Sequence, residues 1–214
     1  MALSKRLLAL ANLVEDNSNI IDVGCDHALL DIYLTKNRNV NCIASDISLE
    51  CIKGANNNIL KEGLEGKIKT YCCDGIPDVD LSNIDAVIIA GMGTNNILKI
   101  LDKKDVKRCI IQTNKNIYEL RKYMMLNNYI IENELIIYDK GKYYNIIDFR
   151  KGNKKYNEFE LHFGPFLLKD DNKEYKKYLV KKYTKIKNDK KSIFEKIKLQ
   201  IFINKIKKYC WQYF

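Results

Sequence analysis

Ile20-Ile21-Asp22-Val23-Gly24-Cys25-Asp26-His27 decides the fold of this chain: an apolar run ends in an acid, a glycine and a second acid. Ala28, Leu29, Ile32 and Tyr33 then open a helical pattern. The arrangement recurs downstream. Apolar stretches close at Ile43-Ala44-Ser45-Asp46, at Cys72-Cys73-Asp74-Gly75 and at Ile88-Ile89-Ala90-Gly91-Met92-Gly93. Four successive strands thus place an acid or a glycine at their carboxyl ends, the edge where doubly wound sheets bind nucleoside-containing ligands.

Working outward, the pattern predicts strands at Ile20–Val23, Val40–Ala44, Lys67–Cys72, Ile84–Ala90 and Arg108–Gln112, with helices between them. Asp26, Ser48 and Thr94 are candidate helix caps. Ile84–Ala90 is almost unbroken in its apolar character, as a parallel strand buried on both faces requires. After a helix over Ile117–Asn127, Tyr129–Tyr138 and Tyr143–Arg150 form a hairpin around Asp139-Lys140-Gly141. The sum is an α/β fold with a seven-stranded sheet, parallel except for one strand. Gly164-Pro165 punctuates the chain. Beyond it Tyr175, Leu179, Tyr183 and Ile186 make one helical stripe, and Ile193, Ile197, Ile201 and Phe202 another, with a break at Asn188-Asp189. Residues 1–163 therefore form the main domain and 164–214 a small helical appendage.

Composition narrows the class. The 214 residues are 46% hydrophobic with a mean hydropathy of −0.33, and no apolar run reaches the ~18 residues of a membrane span. Leu3, Leu7, Leu10 and Val14 fall on one stripe, so the opening reads as an amphipathic helix rather than a leader, in a cytoplasmic protein. Seven cysteines show no paired metal spacing and serve as small core residues in a reducing compartment. With only two histidines, His27 and His162, no metal site is expected. His162 reads as a surface or interdomain residue.

Charge is unevenly distributed. Lys169 to Phe214 carries 15 lysines against 5 acids, a surplus equal to the whole net charge of +10. The preceding residues balance 22 bases against 22 acids. Such asymmetry marks a polyanion-binding appendage on a neutral domain. A solvated lysine-rich helix, favoured by AT-rich coding bias, accounts for one such helix equally well.

The carboxyl-edge residues have specific chemistry. Asp46, 24 positions beyond Asp22, suits the two hydroxyls of a ribose, or else caps the next helix. Asp74-Gly75 is either an adenine contact or a plain turn. Two acids and a single glycine in the first loop disfavour a pyrophosphate, which argues against NAD, and no P-loop spacing occurs. Gly91 and Gly93 permit close approach of backbone to a ligand. His27 is either a base or ligand contact, or a polar residue of the first helical turn.

The first loop resembles that of S-adenosylmethionine-dependent methyltransferases, and the chain as a whole resembles the bacterial tRNA (adenine(22)-N1)-methyltransferase family. The resemblance rests on Leu3-Ser4-Lys5-Arg6-Leu7, Asp22 to Ala28, Ile89-Ala90-Gly91-Met92-Gly93, Gln112-Thr113-Asn114 and Gly164-Pro165-Phe166-Leu167, in family order. It implies a Rossmann-like methyltransferase domain followed by a coiled-coil-like helical pair. It implies S-adenosyl-L-methionine held by Asp22, Gly24, Cys25, Asp46, Ile47, Asp74, Gly75, Ala90, Gly91, Met92 and Gly93. Asp26, with His27 as second candidate, is the expected catalytic residue. Lys5 and Arg6 are expected at tRNA phosphates, together with Lys176, Lys177, Lys181 and Lys182 of the tail. Two residues depart from the family pattern: Cys25 replaces Ser, and Thr113 replaces Pro, which predicts a looser loop after the fifth strand.

The expected reaction is methyl transfer to N1 of a tRNA adenine by a monomer. The acid-and-double-proline arrangement of many exocyclic-amine methyltransferases is missing after the fourth strand, in keeping with a different acceptor atom. The alternatives are a methyltransferase acting on a small molecule or protein, and an RNA-binding relative without catalysis.

Overall fold

Ser4 accepts a hydrogen bond from the Leu7 amide and starts α1 (Lys5–Ala11), whose apolar stripe buries Leu10. The computed structural model describes residues 3–169, 172–187 and 204. From α1 the chain runs through β1 (Asn19–Val23), α2 (Leu29–Arg38), β2 (Asn41–Asp46), α3 (Leu49–Lys61) and β3 (Ile68–Cys72). A 3₁₀ turn at Leu81–Asn83 precedes β4 (Ala86–Ala90), α4 (Thr94–Leu101), β5 (Arg108–Thr113) and α5 (Ile117–Leu126). The hairpin β6 (Tyr129–Asp139) and β7 (Lys142–Lys151) follows, then α6 (Glu158–Phe163) and α7 (Lys173–Lys187).

The seven strands form one sheet in the order β3-β2-β1-β4-β5-β7-β6, and β7 alone runs against its neighbours. Strand order reverses beside β1, between β2 and β4, which opens the crevice where open α/β sheets take ligands. Val87, Ile88 and Ile89 of β4 are fully enclosed, and all six residues of β5 are buried. Lys140 and Gly141, at φ +46° and +81°, make the tight turn expected of the hairpin.

Two expected caps are replaced. Asp26 does not cap α2: Ala28 takes the capping position at φ +55° without a side-chain bond, and Asp26 itself adopts φ +53°. Thr94 is the first residue of α4 rather than its cap, which is Gly93. Its hydroxyl bonds instead to the Lys115 carbonyl and the Thr113 hydroxyl, partners supplied by the loop after β5. Thr113 consequently ties that loop down, the reverse of the loosening its replacement of proline predicted. Ser48 caps α3 as expected.

The chain divides into two units, Met1–Lys155 and Tyr156–Phe214. In the second, Asn157 and Glu160 make reciprocal capping bonds at the start of α6, and Gly164-Pro165 falls directly after that helix. Tyr175 and Leu179 of α7 are buried as the stripe predicts, and the Tyr175 hydroxyl donates to the Phe163 carbonyl. The second stripe, the break at Asn188-Asp189 and Cys210 lie outside the described residues. Cys25, Cys42 and Cys109 are buried thiols, Cys51 and Cys73 are half-buried, and Cys72 is exposed. Among the described residues no helix is long and apolar enough to cross a membrane.

Candidate active site

A cavity of about 410 Å³ opens at the carboxyl edge of β1, β2, β3 and β4. Gly24, Asp46, Ile47, Asp74, Gly75 and Met92 line it, so six of the expected ligand contacts converge from four different loops. The loops are fastened to one another. Gly24 and Cys25 both donate from their amides to the Ser45 carbonyl, and the Ser45 hydroxyl donates to the Gly75 carbonyl at 2.9 Å. Gly24 has φ +78°, a conformation that favours glycine, and a Cβ there would lie 2.5 Å from the Met92 methyl, whose side chain would have to move.

Asp46 does not cap α3, whose cap is Ser48, and it faces the cavity. One carboxylate oxygen accepts from the Ser48 amide at 2.8 Å and the other from the Asp26 amide at 3.2 Å, while the group still faces the cavity. Two fixed donors orient the carboxylate, and its remaining lone pairs are available to a diol. Ile47, 71% exposed, presents an apolar flank beside it.

The other expected residues lie nearby but do not line the cavity. Asp22 and Cys25 are buried beneath the first loop, and burial raises the pKa of both groups. Ala90, Gly91 and Gly93 flank Met92 without lining the cavity. Asp26 and His27 face α3: Asp26 accepts from the Cys51 thiol at 3.7 Å and stands 3.6 Å from His27 Nε2. The His27 ring rests on Gly54, where an added Cβ would come within 2.6 Å of Nδ1. Both side chains are more than half exposed.

Arg6, the expected phosphate contact, reaches from α1 to β5. Its guanidinium donates to Gln112 Oε1 at 3.0 Å and lies 5.6 Å over the Tyr144 ring, while Lys5 is exposed. The Gly91 amide donates to the same Gln112 oxygen at 3.2 Å, and the Gln112 amide donates to Asn114. The motifs around Arg6, Gly91 and Gln112 thus become one network beside the cavity mouth.

Five further residues line the cavity beyond the expected contacts: Val23, Cys73, Asn96, Lys99 and Ile100. The last three share one face of α4 at helical spacing, a signal present in the sequence once the preceding loop is placed at the ligand edge. Burial raises the Cys73 pKa, with Cys72 and Asp74 adding to the effect, so it meets the cavity as a neutral thiol.

A profile described as a methyltransferase domain matches residues 3–147. The tRNA (adenine(22)-N(1))-methyltransferase of Bacillus subtilis is 30% identical over 209 residues, covering 92% of this chain and 86% of that protein. The chain belongs to this family. The M. capricolum TrmK structure, in complex with S-adenosyl-homocysteine, superposes with a TM-score of 0.84 at 33% identity, covering 98% of both chains. A Streptococcus pneumoniae structure in complex with S-adenosyl-L-methionine gives 0.88 at 28% identity, covering 98% of this chain and 100% of that one.

In the second unit, Lys176, Lys177 and Lys181 lie on α7, with Lys177 2.8 Å from Glu174; Lys182 belongs to the same helix. His162 is exposed on α6 with its ring 6.2 Å from Phe163.

Proposed function

We propose that this protein transfers a methyl group from S-adenosyl-L-methionine to N1 of adenine 22 in tRNA. The observation that carries the reading is the cavity at the strand-order reversal, where Gly24, Asp46, Asp74 and Met92 meet in a chain of this family. The residues fit the cofactor: a glycine at positive φ in the first loop, a backbone-oriented carboxylate for the ribose and an exposed isoleucine for the adenine face. Asp74 suits the adenine amine.

The cofactor supplies an activated methyl on a sulfonium, so transfer moves the positive charge from sulfur to the acceptor ring without a protein nucleophile. Alignment is then the main task of the chain. The Gly24–Met92 contact and the fastened loops fix the line of approach. N1 lies on the pairing edge, so the acceptor base must leave its helix or be unpaired before it enters. Asp26, exposed at the rim of the first loop, is assigned to the base amine, whose acidity rises as the ring becomes cationic. His27 supports Asp26 from 3.6 Å. Lys5 offers a phosphate contact, and Arg6 serves the same rim through Gln112.

Residues 1–163 are assigned to catalysis and the basic remainder to tRNA binding by shape and charge. The protein is taken to act as a cytoplasmic monomer without a metal. Nucleoside mass spectrometry of tRNA incubated with protein and cofactor tests the reaction: 1-methyladenosine at position 22 is expected. Only N6-methyladenosine, with alkaline rearrangement excluded, overturns the N1 assignment. Replacing Lys176, Lys177, Lys181 and Lys182 by Ala should weaken tRNA binding and flatten the log–log salt slope by roughly 0.7–0.9 per lost phosphate contact. An unchanged slope removes the helix from the tRNA interface.

A further inference from the structure

Two carboxyl groups meet under the first loop without a basic partner. Asp22 near the end of β1 is 5% exposed, and Asp31 in the first turn of α2 is fully enclosed. As carboxylates they are acceptors only, and both oxygens of Asp31 are then left without any hydrogen-bond partner. One proton held between the two supplies the missing donor. An unpartnered buried charge is costly enough that such a group takes up a proton instead.

The surrounding groups leave that proton in place. Arg6 of α1 favours ionisation of Asp22, but less strongly than burial and Asp31 oppose it. Asp46 of β2 opposes ionisation of Asp22. The Cys25 and Cys42 thiols are pushed up by burial, then by the carboxyls, and remain neutral; burial opposes ionisation of Asp31 more strongly than its local backbone and the Cys42 thiol favour it. Thr35 donates its hydroxyl proton to the Val40 carbonyl and has none to offer. Burial raises the pKa of both carboxyls, that of Asp31 to about 7.

We propose that Asp22 and Asp31 form a one-proton pair that gives up its proton when the ammonium group of the cofactor's amino-acid end arrives, with Asp31 as the positioning residue. The inference rests on the S-adenosylmethionine reading above. On binding, the shared carboxylic O–H breaks, its electron pair stays on oxygen, the proton passes to solvent and the ammonium becomes the counter-ion. Asp31 acts through Asp22 and touches no ligand. The pair thereby selects for a cationic amino-acid end and against a bare nucleoside of the same adenosyl shape.

Calorimetry of the full chain with S-adenosylhomocysteine, in two buffers of different ionisation enthalpy, counts the protons released. The probe keeps its ammonium throughout the range, so a slope in affinity belongs to the protein. Release of up to one proton is expected, with affinity rising by at most tenfold per pH unit while the free pair holds its proton and levelling once the pair is ionised. 5′-Methylthioadenosine, which lacks the amino-acid end, should bind without release. Asp31→Asn should bind S-adenosylhomocysteine with a flat pH profile. Binding without release, equal release with methylthioadenosine, or an Asp31→Asn profile as steep as the parent's each overturns the proton pair while sparing the cofactor reading. Failure of S-adenosylhomocysteine to bind at any pH overturns that reading and the pair with it.

Discussion

Arg108 and Asp22 are both charged groups buried in strands of one sheet, but they are treated in opposite ways. Arg108 opens β5 at the amino edge, and its guanidinium is fully engaged: Asp148 accepts at 2.9 and 2.7 Å, Glu15 at 2.9 Å and the Leu13 carbonyl at 2.7 Å. Arg121 and Glu134 form a second enclosed pair at 2.7 Å. At the carboxyl edge, Asp22 and Asp31 make no ion pair with a base among the described residues, and burial raises the pKa of both. One end of the sheet matches its charges internally and joins helix, loop and strands. The other end keeps charge in reserve for a ligand, at some expense of stability.

This contrast breaks most readily at the amino edge. Asp148→Ala removes the buried partner of Arg108, leaving it Glu15 and the Leu13 carbonyl, and should cost up to about 3–5 kcal/mol, read as a shift of the urea midpoint. The folded fraction should bind cofactor as before; a loss of affinity without loss of stability would mean that the two edges are not separate. At the carboxyl edge the effects should reverse. Asp46→Ala removes oriented charged hydrogen bonds and should weaken S-adenosylhomocysteine binding by about 1.5–3 kcal/mol, with little change in melting temperature. Tighter binding of NAD than of S-adenosylhomocysteine to the parent protein would overturn the cofactor assignment itself.

Gly24→Ala combines a clash 2.5 Å from the Met92 methyl with an unfavourable positive φ. It should weaken the cofactor by roughly tenfold, with a stability loss of about 1 kcal/mol. Asp26→Asn should lower turnover more than tRNA affinity, since its interaction strengthens only as ring charge develops. Unchanged turnover would remove the role given to that carboxylate.

A pH dependence sharpens the comparison. The pKa of Asp31 is raised in the folded state to about 7, against about 3.9 unfolded, so the native protein binds the extra proton. Stability contributed by that proton is fully present below about pH 4 and lost as pH rises through about 7. Asp31→Asn removes the dependence, so the melting temperature of the variant minus that of the parent should climb across this window, by roughly 2–4 °C for each kcal/mol. Parallel melting curves at every pH would show that Asp31 carries no proton.

What the chain order alone determined is the framework. Apolar runs ending in Asp22, Asp46, Asp74 and Gly91 fixed which edge of the sheet binds ligand, because strand period and turn chemistry are local properties. Motif resemblance attached a cofactor to that edge, and Asp139-Lys140-Gly141 set the hairpin. Contacts across the crossovers were decided only by tertiary structure. Arg6 reaches Gln112 across 106 positions, Thr94 bonds beyond β5 instead of capping its own helix, and Asn96, Lys99 and Ile100 turn one face of α4 into a cavity wall. Asp31 is the clearest case. In sequence it is a polar residue in the first turn of an amphipathic helix, a position where acids are common because they favour the helix dipole. Only the packing of α2 on β1 takes it out of water and sets it against Asp22, where the same carboxyl becomes a group that must share a proton.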